Sequence, residues 1–342
     1  MYVMKNGVSA FSVNRHSSFL RRTRLSTSKS SSNNQEKASN SPWSHHHQVP
    51  NSENSHGYIC IITETDACDS EERMEDTIST LEKALGNHNE DSIDLISVRV
   101  NTPMCSTTRT TPTDTSEIEG FQKRLLQLCQ RIMTLKENHQ QHARYNDYKV
   151  VINDVAHINT AIEAKMDGIH VKEKDVAQIP NIREILQKSR DDDDEQNNSQ
   201  STIIGTSAHS IESGVSNWRL YRPDYMFAGT CYLTQSHPEK NADDLEGPKL
   251  PGLIKQSIEH ILLDSMKEEQ ESTSSTCSAK SSLILHSPII FAIGGIEMDN
   301  CSEPVGYGAD GVAVIRSVMQ ASDPAEAVRK IKTGMKKGGT KN

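Results

Sequence analysis

Eight short runs of β-branched and aliphatic residues, each followed by a stretch with helical apolar spacing, constrain this chain more than any other feature. Residues 58–63 (YICIIT) read as a first strand, and residues 71–85 follow as a helix with Met74, Ile78, Leu81 and Leu85 at helical spacing. Residues 93–100 (IDLISVRV) form the second strand, and residues 118–135 place Phe121, Leu125, Leu128 and Ile132 on one stripe. The pattern continues with strands at 149–152, 168–171, 202–205, 224–228, 288–293 and 311–315. Helices are expected at 156–164, 175–187, 210–220, 253–266, 299–307 and 324–337. A doubly wound sheet also alternates, but eight complete strand-then-helix units favour closure into a single α/β (β/α)8 TIM barrel.

Composition shows that not all of the chain joins this barrel. AVILMFWYC residues make up 34% of 342 residues, with 18 glycines, below the roughly 45–50% apolar-plus-glycine share of a typical globular domain. Residues 1–34 hold Lys5, Arg15, Arg21, Arg22, Arg24 and Lys29 and no acidic residue, and a Ser/Asn-rich stretch continues to Ser55. Residues 1–55 are therefore expected to be a disordered extension of transit-peptide composition, directing the chain to a plastid or mitochondrion; without such import it would be cytoplasmic. Residues 56–342 form the barrel, interrupted by polar insertions at about 189–201, with the acidic run 191–195, and about 268–282.

The net charge of −9 disfavours nucleic acid as a partner, because a phosphate backbone is held by basic surface. No apolar run approaches the roughly 20 residues of a membrane helix, so no membrane partner is expected either. Seven scattered cysteines, odd in number and never in a CxxC pair, point to free thiols rather than a disulfide framework or a structural zinc site. A homo-oligomer is left open.

In such a barrel the active site lies where the strands end. Those positions hold Arg99 after the second strand, Asn153 and Asp154 after the third, Asp175 after the fourth, and Thr206 to His209 after the fifth. Gly229, Thr230 and Thr234 follow the sixth, Gly294 and Gly295 the seventh, and Arg316 and Ser317 the eighth. Glycines after strand seven and a helix entry after strand eight suit a phosphate cradle of backbone N–H groups, although Gly294-Gly295 also reads as a tight turn. Asp154 and Asp175 suit either a shared Mg²⁺ or two helix N-caps. His209 suits either acid–base chemistry or capping, and Ser207 can donate to an anion.

Six ordered motifs together resemble the thiamine phosphate synthase/TenI family over residues 58–337. They are YICIIT, VINDVAHINTAIEAKMDGIHVKEKDV from Val151, IIGTSAHS from Ile203, PDYMFAGTCYLT from Pro223, FAIGGI from Phe291 and YGADGVAVI from Tyr307. The resemblance implies a TIM barrel that condenses hydroxymethylpyrimidine diphosphate with thiazole phosphate, giving thiamine phosphate and pyrophosphate with Mg²⁺ present. It implies that Asp154 and Asp175 hold Mg²⁺, that Arg99 and Asn153 contact the diphosphate, and that Ser207 donates to the leaving oxygen. Thr234, Gly252, Gly294, Gly295 and the strand-eight turn at Ile315 and Arg316 would contact the thiazole phosphate. A TenI-like thiazole tautomerase using His209 is the alternative activity, and a non-catalytic phosphate-binding or regulatory barrel is the third reading.

The chain departs from the family pattern where diphosphate is expected. The pattern Gln-x-Arg-x-Lys is met by Ser97, Arg99 and Asn101, and Thr-x-Thr-Lys by a loop carrying Ser236 and His237, with Lys240 displaced. The serine expected after strand eight is Arg316.

Overall fold

The computed structural model describes residues 57–86, 93–101, 115–141, 147–191, 202–235, 238, 241–272 and 286–339. Eight parallel strands close in sequential order: β1 Tyr58–Ile62, β2 Leu95–Val98, β3 Lys149–Asn153, β4 Gly168–Val171, β5 Ile203–Ala208, β6 Tyr225–Ala228, β7 Ile289–Ile293 and β8 Gly311–Val314. The closing seam pairs β1 with β8 through Tyr58 with Gly311 to Ile61 with Val314. The helices are α1 Glu71–Leu85, α2 Thr115–Gln141, α3 Ile158–Glu163, α4 Ile179–Asp191, α5 Ile211–Tyr221, α6 Leu250–Ser272, α7 Ser302–Gly306, α8 Arg316–Met319 and α9 Pro324–Gly339. Short 3-10 turns at Val155–His157 and Glu173–Gln178 lead into α3 and α4. The expected extension at 1–55 lies outside the described residues. So does most of each insertion, but α4 and α6 carry helix into the first residues of both.

The strands are buried on both faces, which is why they read as nearly continuous apolar runs. Cys60, Ile62, Leu95, Val151, Ile203, Tyr225, Phe227, Ile289, Phe291 and Ala313 fill the barrel interior. The alternate residues, such as Ile59, Ile61, Ile96 and Val150, pack outward against the helices. There they meet Met74, Ile78 and Leu81 of α1 and Phe121, Leu125, Leu128 and Ile132 of α2, the stripes expected from spacing. Ser70 starts α1 by accepting the Arg73 N–H at 3.1 Å.

At the amino-terminal end of the barrel, an aspartate stands immediately before every even-numbered strand. Asp94, Asp167, Asp224 and Asp310 accept the N–H of Ile59 (2.8 Å), Val150 (2.6 Å), Ile204 (2.8 Å) and Ile290 (2.8 Å) on the preceding odd strand. Each also has a cation beside it from a helix. Lys332 of α9 reaches Asp94 at 2.8 Å, Lys136 of α2 reaches Asp167 at 2.6 Å, and Lys255 of α6 binds Asp310. Arg183 of α4 acts on Asp224 through its charge. This repeated clasp ties strand to strand and helix to strand at the end of the barrel away from the strand carboxyl termini.

Candidate functional site

The carboxyl ends of the strands surround a cleft of about 660 Å³. Nine of the expected site residues line it: Arg99, Asn153, Ser207, His209, Thr234, Gly294, Gly295, Ile315 and Arg316. Its floor is apolar and aromatic, with Ile62, Phe227, Ile293 and Ala313. Four cationic side chains, Arg99, Lys172, Lys174 and Arg316, face two carboxylates, Glu173 and Glu297, in a chain whose net charge is −9. The surplus of positive charge is therefore local, and it favours an anionic ligand.

One wall is built mainly of backbone. Gly294 (φ 97°) and Gly295 (φ 63°) turn the chain after β7 in a region that favours glycine. A Cβ on Gly295 would sit 2.5 Å from the Leu233 carbonyl, so the turn is also tightly covered by the β6 loop. The Gly294 and Gly295 N–H groups have no acceptor among the described residues. Ser317 Oγ donates to the Ile296 carbonyl at 2.6 Å and holds the start of α8 against this turn. Arg316 reaches back to Thr234 Oγ1 at 3.1 Å and Gln235 Oε1 at 3.0 Å, bridging the β8 and β6 loops with no carboxylate against its charge among the described residues.

The opposite wall is built of side chains. Thr63 Oγ1 both accepts the Arg99 N–H and donates to the Arg99 carbonyl, each at 2.8 Å, fixing the end of β2. The guanidinium of Arg99 pairs with no carboxylate among the described residues, and burial pulls its pKa below the ordinary arginine value.

Beneath them lies a group that the sequence reading passed over. His170 of β4 is 1% exposed and stacks on Phe227 at 4.4 Å between ring centroids. Its Nδ1 is 3.2 Å from Tyr225 Oη and its Nε2 is 2.9 Å from Ser207 Oγ. Gly205 leaves the room for this phenol, since a Cβ there would lie 2.0 Å from the Tyr225 ring. Burial, with the Lys172 charge second, pushes the His170 pKa down to about 3, so the ring is neutral at ordinary pH. His170 is the only described partner of the buried Tyr225 hydroxyl, which therefore donates to Nδ1 rather than leave its hydrogen unsatisfied. Nε2–H then donates to Ser207 Oγ, and the Ser207 O–H is free to donate into the cleft. The inward register of a GIHV strand was the available sign of His170, but a histidine in an apolar run reads first as core.

His209 lies on the rim. Its Nδ1–H donates to the Gly229 carbonyl, and its Nε2 lies 3.8 Å from Glu173. Lys172, the first residue after β4, lines the cleft as well, and no spacing marks it, since Asp175 is the residue of that strand end whose type suits a metal or a cap.

Three expected site residues do not line the cleft. Gly252 sits in α6, where a Cβ would lie 1.8 Å from the Tyr307 carbonyl; it is a packing glycine between α6 and the turn after α7. Asp154 accepts the Ala156 N–H at 2.9 Å through one oxygen and the Lys172 ammonium at 2.6 Å through the other. Burial alone would raise its carboxyl, but Lys172 and Ala156 outweigh it and hold the pKa below the usual carboxylate value. Asp175 accepts from Gln178 at 3.2 Å within its own 3-10 turn. As arranged, the pair does not fit Mg²⁺: one carboxylate carries an ammonium, the other turns to its own segment, and no group of three His, Cys, Asp or Glu residues gathers among the described residues. Capping, the other reading of Asp154, is what the geometry displays. The departures at Ser236, His237 and Lys240 lie outside the described residues.

Comparison with known proteins agrees with this architecture. The family model described as thiamine monophosphate synthase matches residues 61–251. Curated thiamine-phosphate synthases from Actinobacillus pleuropneumoniae and Geobacillus thermodenitrificans are each 28% identical, over 55% and 54% of this chain and 65% and 63% of those proteins. The chain thus spans just under two thirds of their length. A relative of the same name from Clostridium acetobutylicum is 29% identical over 57% of this chain and 71% of that protein. Among solved structures, a thiamine phosphate pyrophosphorylase from Pyrococcus furiosus superposes with a TM-score of 0.50 at 18% identity, covering 84% of this chain and 98% of that one, a likeness of fold.

Proposed function

Because this chain belongs to the thiamine monophosphate synthase family, we propose that it is a transferase joining hydroxymethylpyrimidine diphosphate to thiazole phosphate. The observation that carries the reading is the two-walled cleft. An arginine that meets no carboxylate among the described residues and two lysines stand on one side, a glycine-lined backbone cradle stands on the other, and an apolar floor lies between. Two anionic tails attached to planar rings match that layout.

In this arrangement the diphosphate lies against Arg99 and Asn153, and the thiazole phosphate lies against Gly294, Gly295 and the start of α8. The rings rest over Phe227 and Ile293. Departure of pyrophosphate breaks a carbon–oxygen bond and leaves a pyrimidine-stabilised cation, which the thiazole nitrogen captures with its lone pair. No protein group needs to become covalently attached, so the chain contributes orientation and charge. Arg99 opposes the charge that develops on the leaving group. Ser207, oriented by the Tyr225–His170 relay, donates its O–H to the leaving oxygen. The floor, buried beneath this cleft, keeps water from the cation.

His209 supports a second activity at the same cleft. With Nδ1–H committed to the Gly229 carbonyl, its Nε2, 3.8 Å from Glu173 at the rim, is the ring nitrogen left to act as the base a thiazole tautomerase needs. A turnover assay of the full chain with both synthase substrates separates the two. Equal amounts of thiamine phosphate and pyrophosphate are expected, and Arg99→Ala should slow the reaction about 10²- to 10³-fold, the usual loss on removing a preorganised charge-stabilising donor. No product from the wild type, together with tautomerisation that disappears in His209→Ala, would establish the second activity instead.

A further inference from the structure

Lys172 stands where β4 enters its following turn, and it lines the cleft. Its Nζ donates to Asp154 Oδ2 at 2.6 Å across two neighbouring strand ends, while Asp154 Oδ1 is held by the Ala156 N–H at 2.9 Å. The carboxylate is thus fixed on one side by a turn of its own chain and on the other by an ammonium. An ammonium carries three N–H donors, so one bond to Asp154 leaves two for another acceptor. The other charged groups at this corner are accounted for. Glu173 lies 3.8 Å from His209, Asp175 accepts from Gln178 and lies 4.0 Å from Lys174, and Arg99 has no carboxylate partner among the described residues. The chain also has Asn101 and His237 where the family pattern has lysines, so cationic charge that the pattern places after β2 and β6 enters from the β4 loop instead.

The geometry points to Lys172 as a tethered cation that bridges Asp154 to a phosphoryl oxygen of bound diphosphate, so that this chain holds diphosphate without a divalent metal at this corner. The inference rests on the reading of the cleft as a diphosphate site and says how that site is neutralised. An alternation of carboxylate, ammonium and phosphate places opposite charges next to one another, as a bridging divalent ion would. The covalently attached amine does so without the reluctant dehydration that Mg²⁺ undergoes. Lysine acts on phosphate as a point charge, so this bridge requires no bidentate geometry.

Calorimetric titration of the full chain with inorganic pyrophosphate tests this, first in buffer stripped of divalent cations and then with MgCl2 added. The wild type is expected to bind with nearly the same affinity in both. Lys172→Gln should lose about tenfold in stripped buffer, about the worth of one charge-assisted contact, and should regain affinity when MgCl2 frees it from depending on the missing ammonium. Lys172→Arg should keep metal-free binding. Lys172 is about half exposed, with a side-chain exposure of 47%, so the variants should fold, and a thermal melt checks that they do. Wild-type binding that appears only with MgCl2 overturns the inference and leaves the diphosphate reading standing. Metal-free binding that Lys172→Gln does not weaken has the same consequence. Absence of pyrophosphate binding under both conditions overturns the inference and the diphosphate reading together.

Discussion

The two ends of the barrel use the same residue types in opposite ways. At the amino-terminal end, Asp94, Asp167, Asp224 and Asp310 each hold a backbone N–H of the neighbouring strand and sit beside a cation from a helix. Those charges are consumed by the fold. At the carboxyl end, among the described residues, Arg99 meets no carboxylate, Arg316 meets only neutral oxygens, and the N–H groups of Gly294 and Gly295 meet no acceptor. Those groups are positioned but unspent, which is the condition for binding an anion. Stability belongs to one end of a (β/α)8 barrel and chemistry to the other, and here the division can be followed residue by residue. Asp154 and Lys172 depart from this division, a carboxylate–ammonium pair of the amino-terminal kind lying against the cleft at the active end.

The sharpest way to break this comparison is at Asp167. Removing it in Asp167→Ala leaves Lys136, only 4% exposed, with only the more distant Asp147 carboxylate at 3.5 Å to face its charge, and strips the acceptor from the Val150 N–H. A loss of about 3 kcal/mol is expected in denaturant unfolding, the lower end for a buried pair broken on one side because Asp147 still faces the ammonium. Thiazole-phosphate affinity per folded molecule should stay unchanged, and an equal loss of affinity would mean that the two ends are not separate.

A pH experiment on Asp224 comes next in size. Burial first of all, against the Ile204 N–H and Arg183, raises its carboxyl from 3.8 to about 6. The folded state therefore binds this proton more tightly than the unfolded chain does. The resulting stability is fully present below pH 3.8 and is lost as pH rises through about 6, up to roughly 3 kcal/mol. Unfolding free energy measured across that window should fall less steeply in Asp224→Asn than in the wild type. Identical slopes would show that this aspartate is ionised in the folded barrel like an ordinary carboxylate.

The smallest effect is expected at the other end. Gly295→Ala forces a Cβ to within 2.5 Å of the Leu233 carbonyl at φ 63° and disturbs the cradle. Thiazole-phosphate binding should weaken about tenfold, about 1.4 kcal/mol, with circular dichroism unaltered. Unchanged affinity would move the phosphate away from the β7 turn.

The fold was legible because its signal is local. Apolar runs with branched side chains, followed by residues such as Met74, Ile78 and Leu81 at helical spacing, report the buried face of each segment without any knowledge of its neighbours. All eight strands and most helices emerged in that way. Two limits also had local causes. The short helix Arg316–Met319 is too brief for periodicity to give it an end. The helices before the two insertions run to Asp191 and Ser272, since a polar sequence can continue a helix once packing has started it.

The site was legible in its outline, because the strand-end rule and the family resemblance together convert a list of strands into a list of site residues, and nine of those twelve met in one cleft. The rest depended on which residues closure brings together. Asp154 and Lys172 are 18 residues apart, His170 and Ser207 are 37 apart, and Arg316 and Thr234 are 82 apart. No periodicity links such pairs. The same holds for Gly252, whose neighbour across the helix is the Tyr307 carbonyl. By itself, the sequence determined the alternating elements and the positions where the strands end, since both follow from burial along the chain. Only the tertiary structure decided which charges are already paired and which remain to meet a ligand, because pairing is settled by distances across strands and not by spacing within them.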